Sequence, residues 1–141
     1  MNVLITGAKG FLGRNVSLYL SARGYTILPY DIDNRPDELP DLLKQADAIL
    51  HFAGVNRPLK TEEFLDGNVF FTKRLLEEAA ASNKKIPLLF TSSIQAEKEN
   101  PYGVSKKTAE DLLFEFSKKQ DYPVCIYRLY NVYGKGCRPF Y

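Results

Sequence analysis

The sequence predicts an α/β domain, a doubly wound parallel sheet with helices on its two faces. Three observations carry that expectation. Short apolar runs alternate with stretches of helical periodicity along the chain. The runs are continuous, as in Ala-Ile-Leu-His-Phe-Ala at 48–53, and strands buried on both faces read that way. The first run ends in glycines at a spacing of three, Gly7, Gly10 and Gly13, directly before a helix-periodic stretch.

Taken in order, the strands are expected at 2–6, 25–30, 47–52, 86–91 and 123–129. Helices are expected at 11–23, 38–45, 61–82 and 103–120. Phe11, Leu12, Val16, Leu18, Tyr19 and Leu20 set the period of the first helix, and Arg23-Gly24 stops it. Thr61 before Glu62-Glu63 is the expected cap of the third. Pro36, Pro40, Pro58, Pro87, Pro101 and Pro123 fall at boundaries, where a missing N–H costs least. Strand–helix–strand order implies right-handed crossovers.

Residues 1–141 read as a single domain, long enough for a real core. An apolar content of 45% and a charged content of 26% are those of an ordinary globular protein. A net charge of +2 gives no electrostatic case for nucleic acid or an anionic membrane. No apolar run reaches the length of a membrane span, and the first residues enter a strand with no signal-peptide pattern. Cys125 and Cys137 lack metal-ligand spacing and read as reduced thiols of a cytoplasmic protein, with no metal expected. The sequence stops after a strand and a loop, where a doubly wound domain of this order goes on to a substrate lobe. The expectation is the N-terminal part of a longer chain, lacking that C-terminal lobe.

The glycine turn carries the first chemical reading. Gly7 permits an unusual backbone angle, Gly10 a close approach of phosphate to main chain, and Gly13 close packing of helix on strand. Free N–H groups at the helix start then face an anion, as at a dinucleotide pyrophosphate. Glycine triplets also arise for local reasons, so context decides. Here the second strand ends on Asp31, about 20 residues past the turn, where a carboxylate meets an adenosine ribose.

The second reading lies downstream. The fourth strand runs into Ser92-Ser93, and Pro101-Tyr102-Gly103-Val104-Ser105-Lys106 enters a helix. Tyr102 and Lys106 are four apart and share a helix face. An ammonium there is expected to lower the phenol pKa, letting it exchange a proton with a carbonyl or alcohol oxygen. A serine hydroxyl at the strand end would hold that oxygen. With nine tyrosines in the chain, about one such pair arises by chance, so its position carries the argument.

Together these residues resemble the extended short-chain dehydrogenase/reductase family, a Rossmann-fold family. The resemblance runs through Thr6-Gly7-Ala8-Lys9-Gly10-Phe11-Leu12-Gly13, Ala53-Gly54, Ser93, and Tyr102 with Lys106. It implies Ser93, Tyr102 and Lys106 as catalytic residues, with Ser92 the less favoured neighbour of Ser93. It implies cofactor contacts at Gly7, Gly10, Phe11, Leu12, Gly13, Asp31, Ala53, Gly54, Tyr102 and Lys106. Asn68 resembles the helix asparagine that supports the lysine, and Asn131 one that contacts a nucleotide sugar. Arg57 is left between diphosphate and solvent.

A narrower resemblance is to the reductase domain of bifunctional capsular-polysaccharide enzymes. It runs through His51-Phe52-Ala53-Gly54-Val55-Asn56-Arg57-Pro58, Ser92-Ser93-Ile94-Gln95-Ala96 and Tyr133-Gly134-Lys135-Gly136-Cys137-Arg138-Pro139. That implies an NAD(P)-dependent reduction of a UDP-4-keto-6-deoxy-N-acetylhexosamine, and a homo-oligomer in the full-length form. Residues 1–141 correspond to the reductase part and not to the cupin domain that follows in those enzymes, so no epimerisation by a cupin is expected of them. Those enzymes use NADPH, whereas Asp31 favours NAD. Arg14 and Arg35 would favour NADP. A nucleotide-sugar 4-epimerase shares every motif, and a non-catalytic dinucleotide-binding fragment stays open. His51, the single histidine, reads as a core or strand-end residue.

Overall fold

The computed structural model describes residues 1–137. Its strands are β1 (Asn2–Thr6), β2 (Thr26–Tyr30), β3 (Ala48–His51), β4 (Leu88–Ser93) and β5 (Val124–Leu129). Its α-helices are α1 (Phe11–Ser21), α2 (Glu38–Gln45), α3 (Phe71–Ala81) and α4 (Pro101–Gln120). All neighbouring strands pair in parallel, in the order β2-β1-β3-β4-β5. β1 therefore connects outward to β2, and the chain then crosses back to β3. That reversal opens a crevice beyond the carboxyl ends of β1 and β3, where such sheets take ligands.

Most of the core lies on the face covered by α2, α3 and α4. One row across the sheet, Leu4, Ile49 and Leu88, is at most 2% exposed. Leu39, Leu75, Ala109 and Leu113 meet it from the helices, all of them fully buried. Each such leucine contributes about 1.5–3 kcal/mol through removal from water.

The other face departs from the expected double cover. Among the described residues only α1 lies there, against β1 and β2. The row Ile5, Leu50, Leu89, Cys125 runs from fully buried through half-buried to exposed as it leaves α1. Tyr127, further along that face of β5, is 54% exposed. Continuous apolar runs thus predict burial on both faces, whereas β4 and β5 are covered on one. Pro29 sits on the edge strand β2, where its missing N–H leaves the ladder intact.

Two short segments were not expected. The stretch before α3 enters as a π-helical turn, Leu65–Phe70, instead of starting at Thr61. Thr61 caps nothing with its side chain there; the Glu63 carboxylate takes the Leu59 and Lys60 N–H groups. A 3-10 turn, Ile94–Glu97, joins β4 to α4. α4 starts two residues earlier than expected, with Asn100 accepting the Gly103 N–H at 2.8 Å and Pro101 in its first turn.

Candidate active site

The loop from β1 to α1 has the shape that its glycines require. Gly7 has φ +68°, and a Cβ on it would lie 2.6 Å from the Ala53 nitrogen. A Cβ on Gly13 would lie 2.1 Å from the Gly7 carbonyl oxygen. The two positions hold β1, β3 and α1 closer than any side chain allows. α1 starts with no side-chain cap and no acid in its first turn. Its opening N–H groups lie at the crevice, where an anion is the favourable partner.

Asp31 stands beside this turn. Its Oδ2 accepts the Lys9 N–H at 2.7 Å and its Oδ1 the Ile32 N–H at 2.8 Å. The carboxylate is thereby tied to the glycine turn with acceptor sites to spare. Lys9 pairs with Asp33. Arg35 is engaged by Asp37 and Glu38, while Arg14 lines the crevice.

A buried polar chain fixes the opposite wall. Thr72 donates to the Asn68 carbonyl at 2.8 Å, so its oxygen accepts from His51 Nε2 at 2.9 Å. His51 Nδ1 is then the acceptor for the Thr6 hydroxyl at 2.7 Å, and Thr6 in turn accepts the Ala53 N–H at 3.3 Å. Burial holds His51 neutral, with its pKa lowered to about 3. Asn68 accepts the Val55 N–H at 2.7 Å and donates to the Val55 carbonyl at 2.9 Å and the Ser105 hydroxyl at 2.9 Å. The π turn brings this asparagine inward, a common use of that local widening. His51 is a satisfied core histidine; Thr6 and Ser105, which lie inside the quoted motifs without a role of their own there, join the site, and so does Thr72, which lies in none.

Ser93, Tyr102 and Lys106 line one cleft of about 750 Å³ together with Gly7, Gly10 and Gly13. Ser93 ends β4, and its hydroxyl accepts the Gln95 N–H at 3.1 Å. Tyr102 is half-buried, its ring 5.7 Å from that of Phe64. Burial raises its pKa above the usual phenol value, and the Ser93 hydroxyl acts the other way. The expected lowering of the phenol pKa by Lys106 is not among the causes acting on Tyr102. The Lys106 ammonium is directed instead to the Thr91 carbonyl at 3.0 Å and lies 4.7 Å from the Phe90 ring centre. It is 6% exposed, and burial lowers its pKa to about 8.

Phe11, Leu12, Gly54, Arg57 and Asn131 line the same cleft; Ala53 lies behind it against Gly7, and Asp31 beside it. Among the described residues no group of side chains fits a metal ion, and no helix is long and apolar enough to cross a membrane.

The model of the NAD dependent epimerase/dehydratase family matches residues 3–140. The chain belongs to that family. It is 47% identical over its whole length to the UDP-2-acetamido-2,6-beta-L-arabino-hexul-4-ose reductase of Pseudomonas aeruginosa strain PA103. All of it superposes on the capsular polysaccharide assembling protein CapF from Staphylococcus aureus, with 42% identity and a TM-score of 0.86. It spans 38% of the length of each of these two proteins. MoeE5, solved with UDP-glucuronic acid and NAD, is 26% identical with a TM-score of 0.84, over 99% of this chain and 57% of that one.

Proposed function

We propose that this chain is the dinucleotide-binding part of a reductase acting on a UDP-linked 4-keto-6-deoxy-N-acetylhexosamine in surface-polysaccharide synthesis. One observation carries the reading: Ser93, Tyr102 and Lys106 converge on the cleft that the glycine turn opens onto. The 47% identity to a hexulose reductase supports the substrate class.

The cleft suits a nicotinamide dinucleotide, because its glycine cradle would be filled by any Cβ. The α1 N-terminus holds the pyrophosphate, Asp31 accepts from the adenosine ribose hydroxyls, and Lys106 holds the second ribose. When bound, the reduced cofactor supplies hydride. The Ser93 hydroxyl orients the keto oxygen, and the Tyr102 hydroxyl gives it a proton as negative charge develops there. The raised pKa of Tyr102 keeps it in the protonated form that this step needs. Arg57 and Asn131, which both line the cleft, would meet the nucleotide-sugar diphosphate and sugar. Asp31 favours NAD over NADP, since a carboxylate repels a 2′-phosphate.

The half-bare sheet supports a further lobe that covers Leu89, Cys125 and Tyr127 and completes the sugar site. The thiols, both unpaired, fit a cytoplasmic protein. The full-length form is read as a homo-oligomer.

In the full-length enzyme, Tyr102→Phe should abolish ketone reduction while cofactor still binds; retained turnover overturns the reading. A reductase consumes one reduced cofactor per product, whereas a 4-epimerase keeps its NAD and consumes none. Parallel titration with NADH and NADPH tests Asp31, with NADH expected to bind more tightly.

A further inference from the structure

We propose that Glu110, clamped by Arg128, keeps the Lys106 ammonium charged in its buried seat. α4 then carries phenol, amine and carboxylate as one column. The inference rests on the role given to Lys106 above and adds a positioning residue one turn beyond it.

Tyr102, Lys106 and Glu110 recur every four residues in α4 and so share one broad stripe. Lys106 is 6% exposed and Glu110 1%. An ammonium has three protons to place, and this one meets a carbonyl and an aromatic ring. Neither partner supplies the full negative charge that a cation removed from water requires. Among the described residues, Glu110 is the acid that opposes the effect of burial on Lys106.

The carboxylate is held from the other side. Arg128 on β5 grips it with two parallel bonds, Nε to Oε1 at 2.9 Å and Nη2 to Oε2 at 2.7 Å. The remaining arm of Arg128 reaches Glu97 of the 3-10 turn at 2.8 Å. This clamp holds Glu110 ionised, with its pKa below the usual carboxylate value although burial acts the other way. Two cations and two anions thus alternate from the cleft to the surface: Lys106, Glu110, Arg128, Glu97. A buried ion pair is a poor source of stability compared with apolar side chains of the same volume. A carboxylate this deep, one turn from the site lysine, is explained by what it does to that lysine.

The other titratable groups facing Lys106 do not replace it. His51 on β3 is neutral above about pH 3 and only disfavours the ammonium when charged. Tyr102, its pKa raised by burial, is a neutral phenol. Losing the Glu110 charge leaves desolvation unopposed. The amine then sheds its proton at lower pH, and its hold on a ribose hydroxyl and on the developing phenolate weakens.

The test is a titration of the chain labelled with 13C at the lysine Cε, the Lys106 signal being assigned by its absence in Lys106→Met. Wild type should titrate near pH 8. Glu110→Gln should lower that midpoint by about one pH unit or more. Glu110→Asp, which keeps the charge, should restore most of it. Should Glu110→Gln not fold, the double variant Glu110→Gln, Arg128→Leu leaves no stranded guanidinium and should show the same fall. An unchanged midpoint in whichever of these two folds overturns the proposal. In the full-length enzyme the alkaline limb of turnover should move down with the midpoint. Unchanged turnover in Lys106→Met would remove the role given to Lys106 in catalysis but leave the measured coupling standing, so the two failures are told apart.

Discussion

The glycine turn and the start of α4 face the same cleft, yet they are built from opposite materials. The turn is made by what is missing. Two absent Cβ atoms let three pieces of main chain meet, and the carboxylate of Asp31 ties the loop by accepting the Lys9 N–H. The α4 side is made by buried polar side chains. Asn68 pins Val55 and Ser105, His51 joins two threonines, and Lys106 sits between a carbonyl and a ring. The first can fail only by being filled. The second can fail by losing a single proton or hydroxyl. Binding and chemistry should therefore be separable by mutation.

The largest expected effect lies on the chemical side. Tyr102→Phe in the full-length enzyme should lower turnover by about 10²–10⁴-fold with cofactor affinity changed little. Steady-state kinetics beside a cofactor titration would show it. On the binding side, Gly13→Ala forces its Cβ against the Gly7 carbonyl, main chain against main chain. That overpacking should cost about 1–3 kcal/mol of stability and weaken dinucleotide binding more than tenfold. Equal losses of binding in both variants would erase the contrast between the two sides.

The polar wall gives a pH signature that the glycine turn lacks. His51 has its pKa lowered from 6.5 to about 3 in the folded chain. Between those values the unfolded chain binds a proton that the folded chain refuses. Stability should therefore fall as pH drops through this window, by at most about 5 kcal/mol from this residue. Urea denaturation of wild type and His51→Gln from pH 7 to 4 should show the flatter profile in the variant. The smallest effect belongs to the bare face. Tyr127→Lys, at a position 54% exposed, should change the stability of this chain by less than about 0.5 kcal/mol. In the full-length protein, where the proposed lobe covers the residue, it should cost several times more.

The same contrast explains what the sequence made legible. All five strands and the helices α1 and α2 are readable because apolar runs and periodicity report burial directly. The turn is readable because only glycine meets its geometry. Double cover is misread on β4 and β5, since an apolar residue such as Leu89 or Cys125 looks the same whether or not a helix lies over it. The π turn before α3 and the 3-10 turn after β4 have no composition of their own. Thr6, Thr72 and Glu110 are silent for a further reason. Their roles depend on partners 18 to 45 residues away, which the fold alone brings together. Tyr102 and Lys106 are legible from their place after the serine-ended strand, but the effect of one on the other is set by where each side chain points.

The most direct test is a crystal structure of the chain with NADH. The account predicts the pyrophosphate on the N–H groups that open α1, and the nicotinamide ring beside Tyr102 with its ribose on Lys106. A dinucleotide bound elsewhere, or one whose nicotinamide points away from Tyr102 and Ser93, would contradict it.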